Sequence, residues 1–107
     1  MGSRAMTKTS ERKLGLAVMQ VLAECPSYEA TVKTLIKNVP SHMKLTVRDQ
    51  LQSVTRPNEE MWEQRVRNLK SHSGTPGNVI AEGFVLSLGR GRYRLTPAGL
   101  RHLQKSI

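Results

Sequence analysis

At 107 residues the chain is expected to form one domain with a core of its own, and with only 4% aromatic residues that core must come from Leu, Val and Ile. Seventeen Lys and Arg against eight Asp and Glu give a net charge of +9, which favours a polyanionic partner because each neutralised phosphate releases condensed counterions. No apolar run approaches the ~20 residues of a transmembrane helix and no secretory apolar segment is present, so nucleic acid is favoured over membrane.

Met1-Gly2-Ser3-Arg4-Ala5 reads as an expression-tag remnant ahead of a second start-like residue, Met6, and the domain is expected to occupy 6–107. Ser10 precedes a helical pattern in which Leu14, Ala17, Val18, Val21 and Leu22 recur at i, i+3, i+4, i+7 and i+8. Cys25-Pro26-Ser27 ends it. As the sole cysteine, Cys25 can form no intramolecular disulfide and suits a small buried role in a reducing compartment. Ser27 is expected to cap a second helix, with Glu29 in its first turn, Val32, Leu35 and Ile36 on its apolar face, and a stop at Asn38-Val39-Pro40-Ser41. Thr46 and Asp49 have capping-box spacing, predicting a short third helix with Val47, Leu51 and Val54 along its buried edge.

Pro57, followed by Glu59 and Glu60, predicts the start of a longer helix over 58–71. At 100° per residue, Val66 and Leu69 fall within about 40° of Trp62, and these three form the inward stripe. The opposite face carries Glu60, Gln64, Arg67, Asn68 and Ser71, with Arg65 and Lys70 on its flanks, and long donors and amides are the side chains that read base edges. From residue 64 to the end there are eight basic residues and one acidic residue, Glu82, so this segment holds +7 of the +9.

Beyond the loop Ser73-Gly74-Thr75-Pro76-Gly77 comes Val79-Ile80-Ala81-Glu82-Gly83, and then Phe84, Leu86 and Leu88 alternate with Val85 and Ser87 as in a strand. Gly89-Arg90-Gly91 is a turn, and Tyr93 and Leu95 alternate with Arg92 and Arg94 on the way back. The hairpin is therefore expected to hold its arginines outside and an aromatic and aliphatic row inside. Thr96-Pro97 opens a closing helix anchored by Leu100 and Leu103.

This order predicts an α+β fold, a winged helix-turn-helix with a helical core, a C-terminal β-hairpin wing and a closing helix. The stretch Trp62-Glu63-Gln64-Arg65-Val66-Arg67-Asn68-Leu69-Lys70-Ser71-His72 resembles the winged-helix domain at the N-terminus of Mrr-type restriction proteins and similar modules appended to restriction endonucleases. The resemblance continues through Ile80-Ala81-Glu82-Gly83 and Gly89-Arg90-Gly91-Arg92-Tyr93-Arg94-Leu95-Thr96-Pro97-Ala98-Gly99; its Gly-x-Tyr-x-Leu-Thr-x-x-Gly pattern is shared by many winged helices. The loop 73–77 is longer than the usual helix-to-wing link.

The resemblance implies a non-catalytic module that binds double-stranded DNA and gives specificity to a fused or associated nuclease domain. It implies a prokaryotic cytoplasmic, nucleoid-associated protein, monomeric or weakly dimeric. Carried over by position, Gln64, Arg65, Arg67, Asn68 and Ser71 face the major groove, and Lys70, His72, Arg90, Arg92 and Arg94 meet the backbone. Two alternatives are a reader of methylated bases such as methyladenine, with Met61 and Trp62 walling the methyl group, and a winged helix that binds protein. Trp62 is also placed to be a core residue.

Catalysis has little support in the residues. His42, His72 and His102 are scattered, with no metal-ligand spacing to Cys25. Glu11-Arg12-Lys13 has the Glu-x-Lys form of a metal-dependent nuclease, but it opens an amphipathic helix and lacks the partner carboxylate. No cofactor or metal is expected.

Overall fold

The computed structural model describes residues 10–53 and 58–106; the tag-like leader, Val54 and Pro57 lie outside them. The described residues form four helices and a three-stranded antiparallel sheet, in the order α1 (Glu11–Ala23), β1 (Glu29–Thr31), α2 (Val32–Asn38), α3 (Met61–Arg67), β2 (Val85–Gly89), β3 (Arg92–Leu95) and α4 (Pro97–Ser106). The sheet order is β1-β3-β2.

The first helix follows its apolar period. The Ser10 hydroxyl accepts from the Lys13 N–H at 3.2 Å, and Leu14, Ala17, Val18, Val21 and Leu22 are all buried. The second helix departs from expectation. Ser27 has a left-handed backbone, φ +56°, and caps nothing; Thr31 accepts from Thr34 N–H at 3.3 Å and starts α2 instead. Glu29 is consequently not in a helical turn but in β1, opposite Arg94, while Ala30 faces Tyr93 and Thr31 faces Arg92. This strand was missed because three residues, Glu-Ala-Thr, carry no alternation long enough to register. The hairpin supplies its ladder, and its turn also accepts from α2, Val32 N–H donating to Gly91 O at 2.8 Å.

The third expected helix is a turn. Thr46 and Asp49 do make the reciprocal capping bonds, Thr46 N–H to Asp49 Oδ2 at 2.9 Å and Asp49 N–H to Thr46 Oγ1 at 3.0 Å. No α-helix follows, and the burial is reversed: Val47 and Leu51 are 53% and 45% exposed while Asp49 is buried. The reason lies in α3. Its first N–H groups have no partner within a helix, and the turn supplies one to each, Leu51 O to Met61 N–H at 2.8 Å and Asp49 O to Trp62 N–H at 3.0 Å. Serving those donors turns Asp49 inward.

The helix predicted over 58–71 is correspondingly shorter. Asn58 has φ +72° and cannot begin it, and Glu60 N–H donates to Glu63 Oε1 at 2.8 Å to fix the start at Met61. At the other end Asn68 leaves helical geometry, and successive turns carry Leu69 into the core beside Trp62 and Val66.

In the hairpin the arginines do face outward, but the first strand has the opposite parity to that expected. Val85 pairs with buried Leu95, and Leu86 pairs with Arg94, so Leu86 and Leu88 are exposed and Val85 is in the core. A register shift between Ser87 and Gly89 sets this pairing, and a one-residue change of register moves every side chain to the other face. The glycine motif has a steric basis. Gly91 takes φ +72°, Tyr93 and Leu95 are buried, and a Cβ on Gly99 would overlap the Phe84 carbonyl and lie 2.7 Å from Leu95 Cδ1. Thr96 closes the corner, its hydroxyl donating to Gly83 O at 2.7 Å and accepting from Gly99 N–H at 2.9 Å. The final helix then returns to α1, with Leu103 buried.

Candidate nucleic-acid interface

The α3 segment hangs on a polar network that the sequence pattern did not reveal. Asn78, fully buried, donates to Glu11 Oε2 at 2.9 Å and to Leu69 O at 3.1 Å, while its carbonyl accepts from Ile80 N–H at 2.8 Å. Glu11 in turn accepts from Arg65 Nη2 at 3.2 Å, and Asp49 lies 3.9 Å from Arg65 Nη1. Glu11 is thus a structural anchor joining α1, α3 and the loop after it. Arg65 and Glu11 are each 13% exposed, which takes Arg65 off the outward face and into this network. The inward flank was already its place on the helical wheel, about 60° from Trp62.

Trp62 fills the core at 5% exposure, and its Nε1 donates to Glu60 Oε1 at 2.9 Å. The aromatic wall considered for a methyl group is therefore buried, while Met61 is half-buried at the edge of a cavity. That cavity, about 220 Å³, brings Gln64 from α3 and Asn68 at its end together with Arg48 from the preceding turn and His72 and Thr75 from the loop beyond, and its inner wall is the Glu11, Asp49 and Arg65 network. Arg48 was not among the expected site residues. A basic residue in a turn gave no signal until the turn was seen to abut α3.

Gln64 and Arg67 are half-buried, each held by the segment ahead of the helix. The Ser53 hydroxyl donates to Gln64 Oε1, and Glu59 Oε2 accepts from Arg67 Nε at 2.9 Å and Nη2 at 2.6 Å. Lys70, Ser71 and His72 are exposed, and the Lys70 backbone also meets the Tyr93 hydroxyl. This contact links the helix to the hairpin. Burial pushes the Tyr93 phenol above its ordinary value, with the Lys70 N–H opposing the shift.

On the outer sheet face, Glu29 lies under two arginines. It accepts from Arg94 Nε at 2.9 Å and again from its Nη2, and Arg92 Nη2 is 3.8 Å away. The Arg94 hydrogen bond is the main reason the Glu29 carboxyl is held below the usual glutamate range. Arg90, at the turn with φ +53°, is exposed and has no acidic partner among the described residues. The expected site residues thus divide: Arg65 is internal, Gln64 and Asn68 are half-buried in the cavity, Arg67, Arg92 and Arg94 are paired but accessible, and Lys70, Ser71, His72 and Arg90 are exposed.

Among the described residues no group of three or more His, Cys, Asp or Glu is placed to hold a metal ion, and no helix is long and apolar enough to cross a membrane. Compared with known proteins, the chain matches no family model, no curated protein and no solved structure.

Proposed function

We propose that this chain is a winged-helix domain that binds double-stranded DNA, with the outward face of α3 in the major groove and the β2–β3 hairpin lying along the backbone as a wing. The observation that carries the reading is the convergence of Arg48, Gln64, Asn68 and His72 on one cavity rim, next to exposed Lys70 and Ser71. Cationic ends and amides brought together from three chain segments suit a surface that meets phosphates at its edge and base edges at its centre. The element order supports the fold part of the reading: helix, strand, helix, helix, hairpin, helix, with β1 joining the hairpin through β3.

In this reading Gln64, Arg67, Asn68 and Ser71 approach the bases. Arg48, Lys70, His72 and Arg90 contact phosphates, and Arg92 and Arg94 join them only by leaving Glu29. The resemblance of residues 62–72 and 89–99 to Mrr-type restriction proteins favours a specificity module acting for a nuclease domain.

Binding of the whole chain to a duplex, titrated with salt, tests the proposal. A log–log slope of several units supports phosphate neutralisation. A flat slope or no binding would instead make the same face a protein-docking surface.

A further inference from the structure

Arg67 and Arg94 are both held side-on by a glutamate, but Arg67 and its acid are the less exposed pair, 37% and 16% against 48% and 21%. Glu59 approaches its guanidinium side-on, one carboxylate oxygen accepting from both Nε and Nη2. The five N–H groups of a guanidinium lie in one plane, with a side edge of Nε and Nη2 and an end edge of Nη1 and Nη2. Glu59 occupies the side edge. Nη1, on the end edge, has no partner among the described residues.

The backbone that carries the carboxylate is anchored. Ser53 N–H donates to Glu59 O at 2.8 Å and Gln52 bridges Glu60, so the backbone on either side of the acid is tied to the turn before α3. The Glu59 side chain is 16% exposed against 37% for Arg67, so the acid sits inside and the guanidinium outside. Arg67, the last residue of α3, lies about 140° from Trp62 on the helical wheel, away from the buried stripe. A simple surface pair would leave both partners mobile and exposed. Here the inner partner fixes the plane of the outer one.

We propose that Glu59 is a positioning residue that presents the Nη1–Nη2 edge of Arg67 to a guanine in the major groove. That edge has the two parallel donors that match guanine O6 and N7. The proposal rests on the duplex-binding reading above and names the base class that reading leaves open.

The test starts with selection of preferred duplexes from a random pool by the whole chain, followed by affinities at one salt concentration for the wild type, Glu59→Gln and Arg67→Lys. The wild type is expected to prefer a G·C pair at one position by about ten-fold or more. Both variants are expected to bring that preference close to one; Arg67→Lys, which keeps the charge, should hold affinity for unselected duplexes within about two-fold, and Glu59→Gln, which removes one negative charge, should not weaken it. Replacing that guanine by 7-deazaguanine, which lacks N7, should weaken the wild type and leave Glu59→Gln unaffected; unfolding of the variants is checked by their thermal midpoints. Retention of the preference by Glu59→Gln, or an equal loss over all duplexes, overturns the positioning role. Duplex binding with no preference for any G·C pair overturns it too, yet leaves the DNA-binding reading standing. Absence of salt-dependent duplex binding overturns both. Should Glu59→Gln not fold, Arg67→Lys and the 7-deazaguanine duplex still decide whether the guanidinium edge reads N7.

Discussion

The α3 segment and the β2–β3 hairpin each carry two arginines paired with carboxylates, yet the pairs sit in different surroundings. Around Arg65 the partners are nearly out of water, Glu11 at 13% exposure and the Asp49 side chain at 0%. On the sheet, Arg92 and Arg94 are 50% and 48% exposed over a single glutamate. Coulombic attraction and the cost of breaking it both grow as water is excluded. The first pair therefore holds the domain together, while the second is open to competition from a phosphate. Like residues in one basic segment acquire unlike roles through burial.

Breaking the buried pair should give the largest effect. Arg65→Met leaves Glu11 and Asp49 without their cation, and the loss of stability is expected to be about 3 kcal/mol, at the low end of the range for removing one partner of a buried pair. Urea unfolding measures it. Duplex affinity of the folded protein should stay within about two-fold of wild type, since the guanidinium is largely buried against Glu11 and Asp49 rather than open to a phosphate. Unchanged stability with lost affinity would return Arg65 to the reading face.

The hairpin has its own point of failure, and it is steric. Gly99→Ala drives a methyl group into the Phe84 carbonyl, and backbone cannot swing aside as a side chain can. A loss of about 1–3 kcal/mol is expected. Gly74→Ala is the control: nothing lies within 4 Å of its Cβ position, and a change of no more than about 0.5 kcal/mol is expected at such a surface site. Equal thermal midpoints for the two variants would contradict the close approach of α4 to Phe84.

These two regions also differ in how much the sequence disclosed. The period of α1, the outward arginines of β3 and the Thr96-Pro97 start of α4 were legible because each element makes its own pattern. Gly91, Tyr93, Leu95 and Gly99 were recognisable together, and the close approach at Gly99 shows why one of them is glycine. The turn at 46–51 was misread because its polar residue, Asp49, is the buried one, drawn in by unfilled donors of α3 and by Arg65. Likewise Asn78 was invisible: its partner Glu11 lies 67 residues away, and its local bonds to Leu69, Ile80 and Ala81 form no periodic pattern. On the candidate site, helical spacing separated Gln64 and Arg67 from the buried Trp62 and Val66, while Asn68 and Ser71, expected on the same face, lie past the end of the helix. The carboxylates that restrain the arginines did not, because Glu29, Glu59 and Glu11 lie 65, 8 and 54 residues from their partners.

The smallest effect is expected from Glu29→Gln, and it sharpens the contrast most directly. The wild-type pairing lowers the Glu29 pKa from 4.5, chiefly through the Arg94 hydrogen bond. A lowered carboxylate contributes stability that is present above its unfolded value and lost as pH falls through its folded value. Wild type should therefore show acid destabilisation beginning below about pH 4.5 that Glu29→Gln lacks at this step. At neutral pH the variant removes one negative charge beneath two arginines, so duplex affinity should rise and the salt slope steepen by up to about one unit as released guanidiniums take up phosphate. Glutamine keeps the shape of the residue and an acceptor for Arg94, so β1 should stay paired to β3. An unchanged slope would mean that the sheet face does not meet DNA, and would confine the interface to α3, its preceding turn and the tip at Arg90.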